Sequence, residues 1–443
     1  MKKAITFIII LSAFTGAGSI YQLAVVPYVV VASTIIITIL VTFNKINEKY
    51  LPYYIFGLAL SLIWQTSMLG NHLVGVDIHS EYYVTLVTIR NGWNLEWGNI
   101  GNTSIILTVL APLFAKAGFD PIWQFKALYP FICAFTPLIL YLAFKRYFGY
   151  KRAYLSVLFF MIMPMFTMEA VSMVKSQVAY LFLAGVVWGF TSNLSVMKKT
   201  ALVTLCAVGT IISHYTVGII TCLYLIGISF ALLITNFGKL KTFMGIRTYP
   251  MKMIFVVAMV SVLFMVSWFT LIGNGGILGV SSRVFRAVAY NLGIIETPVT
   301  DAPSIVVSES GTVNEDEVPD EVKSFIDTKV GLVSTALGLD FINVSVSGKI
   351  FRIIQYFTQF SIIIGLFVLW NKRKYFNIKA EYGAGVVGSF LLILCALFIP
   401  YFNLMTTTTT RLYMITLFFI SPLFIIGIEW LLAKGMRCAN IYT

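Results

Sequence analysis

The sequence predicts an all-α polytopic membrane protein of about twelve transmembrane helices, and three observations carry that prediction. The first is composition: 59% of the 443 residues are hydrophobic, 15% are aromatic and only 11% are charged, which does not describe a soluble globular domain. The second is a series of apolar runs near residues 4–20, 21–43, 53–69, 121–144, 152–168, 174–192, 199–213, 215–236, 253–272, 350–370, 381–402 and 411–433. Roughly 17 to 25 apolar residues span the hydrocarbon of a bilayer as helix.

The third observation is where the charge falls. The formal net charge is +13, which in a soluble protein would suggest nucleic acid. With the N-terminus inside, however, 20 of the 31 basic residues fall on cytoplasmic segments, against only three acids, Glu48, Glu381 and Glu429. The other 11 basic residues and 15 acids fall outside, as the positive-inside rule requires. The basicity is therefore topological, nucleic acid is disfavoured as a partner, and both termini are expected in the cytoplasm.

The elements follow in order. Residues 1–52 hold two helices, the first a signal anchor or, given Lys2-Lys3 and the small residues near Ala17, a cleavable signal peptide. Residues 53–272 form the membrane core and include an external loop at 70–120. Within that loop the run Ser104 to Ala117 is too short to span and is expected to lie as a helix at the interface. Residues 273–349 form a second external loop, glycine-rich at its start and acidic from Glu296 to Asp327, expected as a flap rather than a domain. Residues 350–443 are C-terminal helices. The five cysteines, Cys133, Cys206, Cys222, Cys395 and Cys438, fall in apolar runs or the inner tail. No Cys/His spacing among them suggests zinc.

Chemistry concentrates where the run 53–69 ends. Asp77, His79 and Glu81 follow it directly, and acids at a membrane face are costly to hold without a use. In a strand all three share a face; in a helix Asp77 and Glu81 share one and His79 lies roughly opposite. Two carboxylates suit a hard divalent cation such as Mg or Mn. Alternatively one is a general base for a hydroxyl acceptor, or Asp77 merely caps a helix whose first turn holds Glu81. Three further places fall on the same side: Glu169, Lys175 and Gln177 at a hairpin tip, His214-Tyr215 in a short turn, and Arg411 at the start of the last helix. Glu169 and Lys175 are either a structural ion pair or site residues. His214 is either an interfacial anchor or a substrate ligand. Arg411 either snorkels or holds phosphate with its planar fork.

This layout, with an acidic motif in the first long external loop after a membrane helix, resembles the C-fold (GT-C) membrane glycosyltransferases. More narrowly, Gly75-Val-Asp-Ile-His-Ser-Glu-Tyr-Tyr83, the stretch Glu169 to Gln177 and Ser213-His-Tyr215 resemble an uncharacterised, mainly archaeal family of predicted membrane proteins. The resemblance implies a GT-C-like fold and transfer of a sugar from a polyprenyl-phosphate donor to an external glycan, lipid or protein acceptor. It makes Asp77 the catalytic or metal-binding acid, with Glu81 beside it and Glu169 as the second acidic site. His79, Lys175, His214, Tyr215 or Arg411 would meet the substrate. Two helices precede the one leading to Asp77, where the superfamily usually has none, and no large soluble C-terminal domain follows. Two other readings stand beside it: an O-antigen-type polymerase or ligase using Arg283, Arg286 and Arg411, and a lipid-linked sugar flippase or transporter. Asn102-Thr-Ser and Asn343-Val-Ser are external glycosylation tripeptides.

Overall fold

The computed structural model describes residues 2–94, 100–236, 251–273, 341, 345–398 and 408–439, and among these the regular structure is helical. In chain order the principal helices are α1 (Lys2–Ile20), α2 (Val26–Thr42), α3 (Leu51–Ser67), α4 (Asp77–Asn91), α5 (Ile106–Lys116), α6 (Pro121–Ile162) and α7 (Val174–Thr191). They continue with α8 (Val196–Ser213), α9 (Tyr215–Asn236), α10 (Met251–Leu271), α11 (Val346–Asn371), α12 (Ala380–Phe398) and α13 (Thr408–Ala439).

Seven of these, α1, α6, α7, α8, α10, α11 and α13, are long and apolar enough to cross a membrane. The expected twelve spans are not reached by that measure, for local reasons. The run 21–43 loses its first residues to a turn, because Pro27 sits at the start of α2 and helix begins only at Val26. The apolar described parts of α9 and α12 are short. The runs 121–144 and 152–168 fall in α6 and beyond it, where the helix breaks at Gly149 (φ 76°) and stops at Ile162, before Pro164 and a π turn at Met165–Glu169. The break at Gly149 leaves α6 as two arms, with Lys145, Arg146, Lys151 and Arg152 around the corner.

The helices form one connected bundle in which α1 packs on α3, α3 on α6, α6 on α7 and α13, α7 on α8, and α8 on α9 and α10. Helix α13 in turn holds α11 and α12. Of the spans, α7 is the most enclosed, with 78% of its apolar window buried, against 28% for α10 and 22% for α11. Phe255, Leu263, Ile354, Phe357 and Phe367 are correspondingly exposed, as side chains facing lipid are expected to be.

Apolar burial gains little between helices already in lipid, so close backbone approach has to hold them. The α11/α13 crossing shows it. A Cβ on Gly427 would run into the Ser361 carbonyl oxygen and lie 3.1 Å from the Gly365 amide nitrogen, and one on Gly365 would lie 2.9 Å from the Leu423 Cα.

The predicted charge asymmetry has a structural counterpart. Lys145 pairs with Glu48, Lys151 donates to the Thr42 carbonyl (2.9 Å) and Arg152 meets Glu429 (2.7 Å). Tyr150 donates to Asn44 (2.6 Å), and Arg146 to the Thr191 carbonyl (3.2 Å). Residues assigned from sequence to one side thus touch one another at one end of the bundle.

The run Ser104 to Ala117 does form a helix, but one face of it is built into the protein: Ile106, Leu107 and Ala111 pack with Leu73, Ile78, Phe125, Tyr129, Val174 and Val178. Asn102 is 1% exposed and donates to the Asn94 carbonyl (3.0 Å), which leaves no room for a glycan there. Cys133, Cys206 and Cys222 are buried free thiols. Asn343, Arg283, Arg286 and nearly all of the loop 273–349 lie outside the described residues.

The glycine crossing is testable against an open position, since a Cβ on Gly227 in α9 meets nothing within 4 Å. Gly427→Ala should cost about 1–3 kcal/mol, whereas Gly227→Ala should be neutral or stabilising by up to about 1 kcal/mol. Thermal unfolding of the purified protein in detergent, followed by tryptophan fluorescence, checks this. Equal melting of the two variants would remove the close crossing.

Candidate functional site

The end of the bundle away from the basic corner is reached by the C-termini of α3 and α8 and the N-terminus of α7. Its first fastening is Lys126, a fully buried lysine in α6 whose Nζ donates to the carbonyls of His72 (2.7 Å) and Leu69 (3.3 Å). Ser67 donates to the Lys126 carbonyl (2.9 Å) and Trp64 to that of Ala127 (3.3 Å). An ammonium out of water needs such acceptors, and these fix the turn that leads from α3 towards Asp77.

That turn continues onto Gly75, at φ 122°, where a Cβ would collide with the Ser172 side chain and sit 2.7 Å from its Cα. Only glycine permits both the dihedral and the approach. The loop before α4 therefore lies directly on the hairpin tip that carries Glu169 and Lys175. Ser172 donates to the Glu169 carbonyl (2.8 Å) and Gln177 to that of Ala170 (3.0 Å), which closes the tip on itself.

Helix α4 starts at Asp77 itself, which decides between the geometries left open by the sequence. The N-cap residue is Val76 and no side chain caps the helix, so Asp77 is not the cap. It occupies the first turn, half-buried, and its charge reaches Lys175. His79 is exposed, off the face that carries Glu81, and is not drawn into the cluster.

Glu81 is 2% exposed. Its Oε2 accepts from the backbone amides of Val174 (2.7 Å) and Lys175 (3.4 Å), the first two residues of α7, and its Oε1 lies 3.3 Å from the Lys175 ammonium. Burial pushes the Glu81 carboxyl above the usual carboxylate range, against the opposing pull of the Lys175 ammonium and of the two amides. The carboxylate partner of Lys175 is thus Glu81, not the Glu169 that proximity in sequence suggested. Glu169 is half-buried at the end of the π turn.

The Lys175 ammonium also lies over the Tyr215 ring (5.6 Å), within reach of a cation–π attraction. Tyr215 stacks on His214 (ring centroids 5.1 Å apart, 23° between planes). His214 is 1% exposed, and its Nδ1 accepts from the amides of Thr216 (3.1 Å) and Val217 (3.4 Å). It caps the N-terminus of α9 with an imidazole where serine or aspartate is usual. With Nδ1 spent as an acceptor, the neutral ring carries its proton on Nε2 and can only donate from there. Ser104 donates to the Ser213 carbonyl (2.8 Å), and Trp268 to that of Thr103 (3.0 Å), joining the loop before α5 and the end of α10 to this turn.

Asp77, Glu169, Lys175, His214 and Tyr215 are therefore brought to one end, through Glu81 and Gly75. Arg411 lies in the first turn of α13, and its side chain is outside the described residues. The metal reading of Asp77 with Glu81 does not fit this arrangement: the Glu81 oxygens face amide and ammonium donors, and among the described residues no three His, Cys, Asp or Glu side chains gather. Lys126 was legible as a lone cation in an apolar run. The capping roles of Glu81 and His214 had no such signal, because their partners are backbone amides.

Residues 337–440 match the model of a family described as predicted membrane protein (DUF2206). The match covers α11, α12 and α13 and stops short of Asp77, Glu169 and His214. No curated protein matches the chain. What is established is an α-helical membrane protein with several apolar helices, similar over its C-terminal part to that family.

Removing one partner of a buried ion pair strands the other. Glu81→Ala should therefore cost about 3–5 kcal/mol, while Asp77→Asn, at a half-exposed position, should shift stability by less than about 1 kcal/mol. Thermal melting of the two variants side by side decides the assignment, and an unperturbed Glu81→Ala would contradict it.

Proposed function

We propose that the protein is a membrane glycosyltransferase that moves a sugar from a polyprenyl-phosphate donor to an acceptor hydroxyl on the outer face of the cell membrane. The observation that carries this reading is the meeting of three motifs far apart in sequence, the Asp77 loop, the hairpin Glu169 to Lys175 and the turn His214-Tyr215, at one end of the helix bundle. A donor whose isoprenoid tail stays in lipid needs its reacting phosphate met where helices end, beside polar groups held by a bundle.

In this reading Asp77 is the general base. It accepts the acceptor's proton as the acceptor oxygen forms a bond to the sugar's anomeric carbon. The bond from that carbon to the donor phosphate breaks, and polyprenyl phosphate leaves with the electron pair. Lys175, held in place by Glu81 and Tyr215, offsets charge growing on the phosphate, and Arg411 is its candidate second cation. His214 fixes the turn that sets Tyr215 beside Lys175. Glu81 positions Lys175 and does no chemistry itself. Glu169 is the second acidic site, at the edge of the cluster.

Purified protein given polyprenyl-phosphate sugars, with and without Mg or Mn, is the direct assay. Transfer should be seen with wild type and fall by at least about a hundredfold in Asp77→Asn, whose melting stays near that of wild type. An Asp77→Asn variant that transfers normally would refute the assignment. The sidedness is tested separately: a reporter after Lys374 should read cytoplasmic and one near Asp316 external. Both on the same side would overturn the topology on which the external placement of the site rests.

A further inference from the structure

The basic end of the bundle holds a second polar cluster that the proposed reaction does not use. Lys199 of α8 and Glu381 of α12 are both 0% exposed and face each other at 3.9 Å. Beside them Lys379 donates to the Ser192 carbonyl (2.6 Å), the Asn193 Oδ1 (3.2 Å) and the Thr191 carbonyl (3.5 Å). Arg146, from the corner of α6, donates to the same Thr191 carbonyl (3.2 Å). Burial, and after it the Lys199 charge, pull Lys379 down to about 8. Lys199 and Lys379 thus share one carboxylate, Arg146 stands beside Lys379, and the acceptors of Arg146 and Lys379 are neutral oxygens.

Capping the end of α7 accounts for the carbonyl contacts. It does not account for a second cation on a carbonyl that Lys379 already reaches, nor for what lies beneath it. Arg146 is exposed, and exposed Leu142, Phe135 and Phe131 precede it on α6 at intervals of four, seven and four residues. That spacing puts them on one face, so an apolar, lipid-facing stripe ends in a guanidinium with an ammonium beside it.

We propose that Arg146 and Lys379, with Lys199 behind them, bind the phosphate of an acidic phospholipid whose acyl chain lies along Leu142, Phe135 and Phe131. The guanidinium fork matches phosphate oxygens, and basic recesses between helices at the headgroup level are suited to anionic lipid. Glu381 offsets one of the three cations, which leaves Arg146 and Lys379 to meet the headgroup phosphate. The proposal is independent of the reaction at the opposite end.

Native mass spectrometry of the detergent-purified protein tests it, with phosphatidylglycerol and phosphatidylcholine titrated separately. Phosphatidylglycerol adducts should persist at lower lipid concentration than phosphatidylcholine adducts, by about fivefold for each contributing cation. That preference should vanish in Arg146→Gln/Lys379→Gln and survive in Lys45→Gln/Lys49→Gln, which removes equal charge elsewhere. Arg146→Gln alone alters one exposed side chain and its bond to the Thr191 carbonyl, which Lys379 also reaches; should the double variant not fold, this single one should still lose about fivefold of the preference. Equal retention of the two lipids, a preference unchanged in the Arg146 variants, or displacement of phosphatidylglycerol by millimolar inorganic phosphate would each overturn the proposal, the last by naming free phosphate as the ligand.

Discussion

Helix α7 is held at each end by charge of the sign that its dipole favours, supplied by α4 at its start and by α6 and the loop before α12 at its end. At its start the Glu81 carboxylate of α4 takes the amides of Val174 and Lys175; at its end Lys379 and Arg146 take the carbonyls of Ser192 and Thr191. A helix this enclosed cannot leave its terminal amides and carbonyls to water. The partners must come from the protein, and the helices that supply them are thereby fixed against α7. The dipole term is modest at a surface and larger where solvent is excluded.

The consequence for function lies at the first of these ends. Because Glu81 must sit over the start of α7, the turn of α4 that carries Asp77 is brought over the same spot, and the Lys175 ammonium has a carboxylate on one side and the Tyr215 ring on the other. The buried ion pair is no guarantee of net stability, since desolvating two charges is expensive. Its use is geometric. It sets where one cation stands relative to one half-exposed acid, and the approach of Gly75 to Ser172 sets the loop between them.

The sequence made the membrane class, the grouping of charges at two ends and most helices plain, because composition, run length and the sidedness of Lys and Arg each survive averaging over many residues. It was less reliable wherever a single contact decided the matter. Pro27 and Pro164 each cut an apolar run that looks continuous in sequence, while the break at Gly149 falls between the two runs read there. Asp77, Glu81 and Lys175 were visible as charges out of place, but not which of them meet. Glu81 is buried against the start of α7 and the Lys175 ammonium, and Asp77 is not a cap. Lys199 and Glu381 gave no hint of meeting, since Lys199 sits in a Lys-Lys pair indistinguishable from ordinary interfacial charge and its partner lies 182 positions later.

The contact between Glu81 and Lys175 holds the site together, and a double-mutant cycle measures it directly. Wild type, Glu81→Gln, Lys175→Met and the double variant would be unfolded in parallel in the same detergent. Glutamine keeps an oxygen for the Val174 amide, so the cycle isolates the ion pair from the cap. A coupling of at least about 1 kcal/mol is expected, with the double variant more stable than the sum of the single losses allows. Strict additivity would mean that the two side chains do not meet, and the site built around them would not stand.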